Sequence, residues 1–139
     1  MARIMALDYG KKRTGIAVTD PLQMIASPLT TVDTQTLFDF LKEYVAKETV
    51  EKILIGLPLN LDGSDTDVTA AVRHNVRRLK NSFPNIAIET VDEQFSSKAA
   101  SKAMVEMGMK KKERQEKGNL DKMAAALMLN QYLEDRSSS

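Results

Sequence analysis

The chain has 139 residues, which predicts one domain around a single core, and its 42% hydrophobic content is too high for a disordered chain. Lys+Arg number 20 and Asp+Glu 19, so the net charge of +1 does not announce a nucleic-acid binder. There is no cysteine, which excludes disulfides, thiolate metal sites and cysteine nucleophiles and fits a reducing compartment.

Residues 3–8 and 14–19 read as two strands joined by a charged, glycine-bracketed turn, Tyr9-Gly10-Lys11-Lys12-Arg13. The first strand ends in Asp8, a carboxylate on a stiff element, as a divalent-metal ligand needs to be. Lys11, Lys12 and Arg13 beside it suit an anionic group, most simply phosphate. Residues 23–30 read as a third strand, with Pro21 and Pro28 fraying its ends, which suits a sheet edge. Residues 35–48 read as a helix, with Leu37, Phe38, Leu41, Tyr44 and Val45 at helical spacing. Ile53-Leu54-Ile55-Gly56-Leu57 is a continuous apolar run typical of a buried parallel strand. A loop from Gly56 to Gly63 follows, then a helix from about Asp65 to Asn81 with a stripe of Val68, Val72, Val76 and Leu79. His74 on that helix reads as a solvated residue. Arg73, Arg77 and Arg78 read as a solvated face, with phosphate contact as the alternative. Asn85 to Val91 is a further strand. Ser96 or Ser97 caps a helix to about Met107. Gly108 to Gly118 holds five bases and two acids and reads as a mobile basic loop. Lys110, Lys111, Lys112 and Arg114 within it are candidates for clamping a phosphate backbone, against a plain surface loop. Asn119 caps a last helix to about Leu133. The methionines at 104, 107, 123 and 128 read as core packing.

The order β-β-β-α-β-α-β-α-α implies an α/β fold, a mixed sheet with helices on its faces. Its span is a single domain over residues 1–136, with a disordered tail at 137–139. No apolar run reaches the ~18–20 residues of a membrane span, and no signal-peptide pattern follows Met1, so the expected setting is cytoplasmic, without a membrane partner.

Three acids fall where one edge of such a sheet gathers them. Asp8 ends the first strand, Glu93 follows the Ile86–Val91 run, and Asp121 lies in the first turn of the last helix. Sites in open α/β sheets form outside the carboxyl ends of the strands. Clustered carboxylates repel unless cations sit between them. Oxygen ligands, one histidine and no cysteine point to Mg²⁺ or Mn²⁺, not zinc. Each acid also has a plain reading: turn former for Asp8, surface acid for Glu93, helix-dipole partner for Asp121.

The motif Leu7-Asp8-Tyr9-Gly10-x-Lys12-Arg13-x-Gly15-x-Ala17-Val18-x-Asp20 resembles the N-terminal signature of the YqgF family, Holliday-junction resolvase-like proteins also described as pre-16S rRNA nucleases. Gly56-Leu57-Pro58-Leu59-Asn60-x-Asp62-Gly63 is similar to its second signature, and Asp92-Glu93 with Ser96-Ser97 to its third. Asp121 with Ala124-Ala125-x-Leu127 and Tyr132-Leu133 is similar to its closing helix. The resemblance spans nearly the whole chain. It implies an RNase H-like fold, a mixed five-stranded sheet with helices on both faces. It also implies that Asp8, Glu93 and Asp121 are the catalytic acids of a two-metal site. Position 94 is Gln where the family usually has Arg, so a cation is missing there, and Lys98 is the candidate substitute. Asn60 is a candidate for the same cleft, with a turn role as the alternative.

The expected activity is therefore metal-dependent phosphodiester hydrolysis. In-line attack by an activated water suits such a site. The expected substrate is structured RNA, the 5′ end of precursor 16S rRNA within a pre-ribosomal particle, with branched DNA as the alternative. The expected state is a monomer or a weak homodimer. Two rivals stand beside this reading. A sugar- or acetate-kinase-like ATPase opens with a similar Asp-x-Gly turn but needs two related domains. A non-catalytic ribosome-assembly factor would keep the fold without the chemistry, and the intact acids argue against it.

Overall fold

Alternation in the first strand decides the layering. The computed structural model describes residues 2–58, 68–93 and 119–137. Strand β1 (Arg3–Asp8) sends Met5 and Leu7 into one apolar cluster and Ile4 and Ala6 into another, on opposite faces of the sheet. Both faces are covered, so the four residues between Arg3 and Asp8 are all apolar.

The remaining strands are β2 (Arg13–Thr19), β3 (Ala26–Asp33), β4 (Val50–Pro58) and β5 (Ala87–Glu93), in the spatial order β3-β2-β1-β4-β5. β1 pairs antiparallel with β2 and parallel with β4, β2 antiparallel with β3, and β4 parallel with β5. The sheet is mixed and five-stranded, as expected. The meander β1-β2-β3 closes by short turns, while the parallel pairs need helical crossovers.

Helices α1 (Leu37–Lys47) and α2 (Thr69–Ser82) cover one face. Leu37, Leu41, Val72 and Leu79 pack there with Met5, Leu7, Ile16, Val18, Ile53 and Ile55. On α2 the buried positions are Thr69, Val72, Asn75 and Leu79, so a polar residue enters the stripe while Val68 and Val76 stay half-buried. The other face carries α3 (Asn119–Ser137), whose Ala125, Ala126, Met128, Leu129 and Leu133 pack on Ile4, Ala6, Ala17 and Leu54. Small residues on both sides of this second contact let the helix lie close to the sheet. It rests mainly on β2, with β3 and β1 to either side.

The third strand differs from the sequence reading. It lies at the edge, but at 26–33 instead of 23–30. Residues 20–25 form a turn closed by the Asp20 carboxylate, which accepts hydrogen bonds from the Met24 and Ile25 amides at 2.8 Å and the Leu22 amide at 3.2 Å. Gln23 has φ 58°, in the left-handed region, so no strand can begin there. Pro28 sits inside the strand. Ala17 pairs with Pro28 and Ile16 with Thr30, leaving Leu29 as the extra residue of a bulge. An edge strand tolerates a residue that lacks an N–H at such a point. The last helix also runs further than expected, to Ser137.

Candidate metal and nucleic-acid site

The site is built outward from one ladder position. Asp8, the last residue of β1, lies opposite Gly15 of β2. Period-two alternation puts Asp8 in the Ile4–Ala6 row and Gly15 in the Ala17 row, the rows that face α3. Gly15 is where the helix touches down. A Cβ there would overlap the backbone carbonyl of Asp121 and come within 2.6 Å of the Lys122 amide nitrogen. Gly15 thus admits the chain's own helix. That space is filled by the backbone of α3 and is not open to a substrate. Gly10 serves the turn, since a Cβ on it would overlap the Arg13 carbonyl.

With the Asp121 backbone held on Gly15, its carboxylate reaches Arg13, two residues away on the same face of β2. Arg13 Nε donates to Asp121 Oδ2 at 3.0 Å, with the two side chains 42% and 28% exposed. An ion pair this open to solvent contributes at most about 1 kcal/mol. Asp8 and Asp121 therefore converge at one end of β1 and β2, both half-buried.

The third expected acid lies at the same end of the sheet. Glu93 is the last residue of β5 and pairs with Pro58, while Asp8 lies two strands away, about 10 Å across the sheet. Among the described residues, no group of three or more His, Cys, Asp or Glu side chains is assembled.

Lys11 and Lys12 are exposed at the tip of the β1–β2 turn. Thr34 holds that turn in shape. Its amide donates to the Lys12 carbonyl at 2.9 Å and its hydroxyl to the Gly10 carbonyl at 2.6 Å. Thr14 Oγ1 lies 3.0 Å from the same hydroxyl, and with the Thr34 proton already committed, Thr14 is the donor. Sequence reading missed Thr34. Nothing in a Thr-Gln-Thr stretch announces it, because its partners lie twenty or more positions back.

Asn60, Lys98, Lys110, Lys111, Lys112 and Arg114 lie outside the described residues, as do Gln94, Ser96 and Ser97. His74, Arg73, Arg77 and Arg78 are exposed on α2, and the Arg78 guanidinium stacks 3.9 Å from the Phe38 ring centroid.

The opposite end of the sheet is structural. Lys52 donates to the Tyr132 hydroxyl at 2.7 Å and lies 3.5 Å from Glu89, tying β4 and β5 to α3. The Tyr132 hydrogen bond is the main reason the Lys52 ammonium is held above its ordinary value. Arg136 donates to Gln23 Oε1 at 2.8 Å, and Gln23 donates to the Ala2 carbonyl and to Glu51. Helix α3 is thus pinned at both ends, by Asp121 to Arg13 and by Arg136 to Gln23.

The donor set fits a hard divalent cation. Asp8 and Asp121 offer carboxylate oxygens, and the chain has no thiolate. Among the described helices, none is long and apolar enough to cross a membrane.

Comparison with known proteins agrees with this frame. A family model described as "RuvX: Holliday junction resolvase" matches residues 2–135. A Flavobacterium psychrophilum protein named "Putative pre-16S rRNA nuclease" is 50% identical over 133 residues, 96% of this chain and 97% of that protein. A Flavobacterium johnsoniae protein of the same name is 48% identical over 136 residues, 98% of this chain and 99% of that one. Among solved structures, Thermus thermophilus RuvC in complex with a Holliday junction substrate matches with a TM-score of 0.61 at 13% identity, over 100% of this chain and 98% of RuvC. That likeness makes the fold RNase H-like.

Proposed function

Because the chain belongs to the RuvX (YqgF) family, a family of nucleases, we propose that it hydrolyses phosphodiester bonds in precursor 16S rRNA with Asp8, Glu93 and Asp121 as its acids. The observation that carries this reading is the seating of Asp121 on Gly15. That contact brings an acid from the last helix to the strand end where Asp8 stands.

Asp8 and Asp121, with Glu93, would hold Mg²⁺ or Mn²⁺. When bound, such cations activate an attacking water and stabilise the leaving oxygen. The protein's own part is orientation. Asp8 is fixed by two flanking strands, Asp121 by the Gly15 contact, and a rigid constellation of this kind lowers the entropic cost of reaching in-line geometry. Lys11 and Lys12, on a turn that Thr34 braces, neutralise phosphates flanking the scissile one. Asn60, Lys98, Lys110, Lys111, Lys112 and Arg114 extend that contact along the backbone of the substrate.

The rRNA reading rests on the name shared by relatives at 46–50% identity over nearly the full chain. Branched DNA is the second reading, favoured by the description of the family. The test is cleavage of labelled precursor 16S rRNA and of a four-way DNA junction, each with Mn²⁺, Mg²⁺ or EDTA. Metal-dependent cutting of the RNA is the expected result. Asp8→Asn, which removes charge but little volume, should lower turnover more than about 100-fold while melting like the wild type. Wild-type turnover by that variant removes Asp8 from the mechanism. Binding that survives EDTA, with no cutting, makes the protein a non-catalytic assembly factor.

A further inference from the structure

We propose that Arg13 is a built-in counter-ion, holding the Asp121 carboxylate in place of a divalent cation and turning to substrate phosphate when the cation binds. The inference rests on the nuclease reading and assigns one of its residues a second partner.

Three observations carry it. First, the pair is a consequence of register and not of chance surface contact. Arg13 and Gly15 share a face of β2, Gly15 seats the Asp121 backbone, and the guanidinium is left facing the carboxylate at 3.0 Å. Second, Arg13 competes with any cation for that carboxylate. A guanidinium at hydrogen-bond distance from Oδ2 occupies one of the two carboxylate oxygens and repels a dication drawn to them, so the closed pair weakens cation binding. Third, the pair is weak enough to open. Arg13 is 42% exposed, its bond runs through Nε, and among the described residues its two terminal amino groups hold no hydrogen bond. Once displaced, the guanidinium presents a planar fork at the end of β1 and β2, beside Lys11 and Lys12, where it matches phosphate geometry.

Two consequences follow for the chain. Without cation, the acids are partly neutralised and the N-terminus of α3 stays docked. With cation, a phosphate-binding group appears next to it, so metal loading and nucleic-acid binding favour one another. The Gly15 seat keeps Asp121 in place through the exchange, because it is a backbone contact that does not involve the ion pair.

The experiment is calorimetric titration of Mn²⁺ alone into the wild type, Arg13→Gln and Arg13→Lys, with melting curves for all three. Fluorescence anisotropy of a labelled RNA hairpin, in EDTA and in Ca²⁺, is run alongside. Arg13→Gln should bind Mn²⁺ about 3- to 10-fold more tightly than the wild type, the range expected for removing an exposed competing pair. Arg13→Lys, which keeps the charge, should stay near the wild type. The wild type should gain RNA affinity between EDTA and Ca²⁺, and Arg13→Gln should lose that gain. Equal or weaker Mn²⁺ binding by Arg13→Gln makes the pair merely structural and overturns the proposal. Tighter Mn²⁺ binding with an undiminished RNA gain overturns its second half. Absence of Mn²⁺ binding in the wild type overturns the metal reading of the site itself, and the counter-ion role falls with it.

Discussion

The backbone of Asp121 rests on the bare Cα of Gly15, and Gly15 is the ladder partner of Asp8. One missing side chain thus joins the first strand pair to the last helix at the point where two acids meet. Gly15→Ala should lose about 1–3 kcal/mol by overpacking, since the atoms it meets are backbone and cannot rotate away. Cleavage should fall with it, because Asp121 is pushed away from the strand end that carries Asp8. Denaturant melts and turnover measured at a temperature where the variant is fully folded separate the two effects. A variant of wild-type stability would mean that the helix does not sit this close.

The brace on the basic turn gives a second expectation. Thr34→Val keeps the shape and removes the hydroxyl that donates to Gly10 and accepts from Thr14. The turn should loosen, raising KM for RNA about 3- to 10-fold, equivalent to roughly 1 kcal/mol of lost ordering, while kcat changes less. Steady-state kinetics test this, and a drop confined to kcat would place Thr34 in the chemistry instead.

Asp20 closes the turn before β3, and the backbone amide of Ile25, followed by those of Met24 and Leu22, holds its carboxyl below the usual value of 3.8. A depressed folded value means that the stabilisation is present above the unfolded value and is lost as pH falls through the folded one. Asp20→Asn should therefore be less stable than the wild type at pH 7, with the gap closing below about pH 4. Urea unfolding at pH 7 and pH 3 measures it. A constant gap at both values would show that the carboxylate charge contributes nothing.

At the far end of α3 the sign is reversed. Lys52 titrates above its ordinary 10.5, chiefly through Tyr132, so its contribution is complete below that value and fades as pH rises through the folded one. Tyr132→Phe should cost about 0.5–1.5 kcal/mol at pH 7 and less above pH 10.5. Cleavage should not change, because Tyr132 lies at the end of the helix away from Asp121. A large loss of turnover at full folding would mean that the helix moves as a unit during the reaction.

Much of the fold could be read from residue patterns because its signals are local. The apolar runs at 3–8 and 53–57, the spacing of Leu37 and Leu41, and the Gly-Lys-Lys turn each declare an element within a window of a few residues. The edge strand was displaced by three residues because its start is decided by a carboxylate closing a turn from Asp20 to Ile25 and by the left-handed backbone of Gln23. Period-two alternation cannot report either feature.

The sequence by itself determined the order of the described strands and helices, the chain's membership of a nuclease family, and which acids and bases were worth watching. Those are properties of short segments and of their succession. Only the tertiary structure decided that Gly15 serves the helix and not the substrate, that Arg13 meets Asp121 across 108 positions, and that Thr34 shapes the basic turn. Each of these depends on which strand faces pair and how closely α3 approaches β2. That distance is set by the small residues Ala6, Ala17, Ala125 and Ala126 packed between them, and no local pattern encodes it.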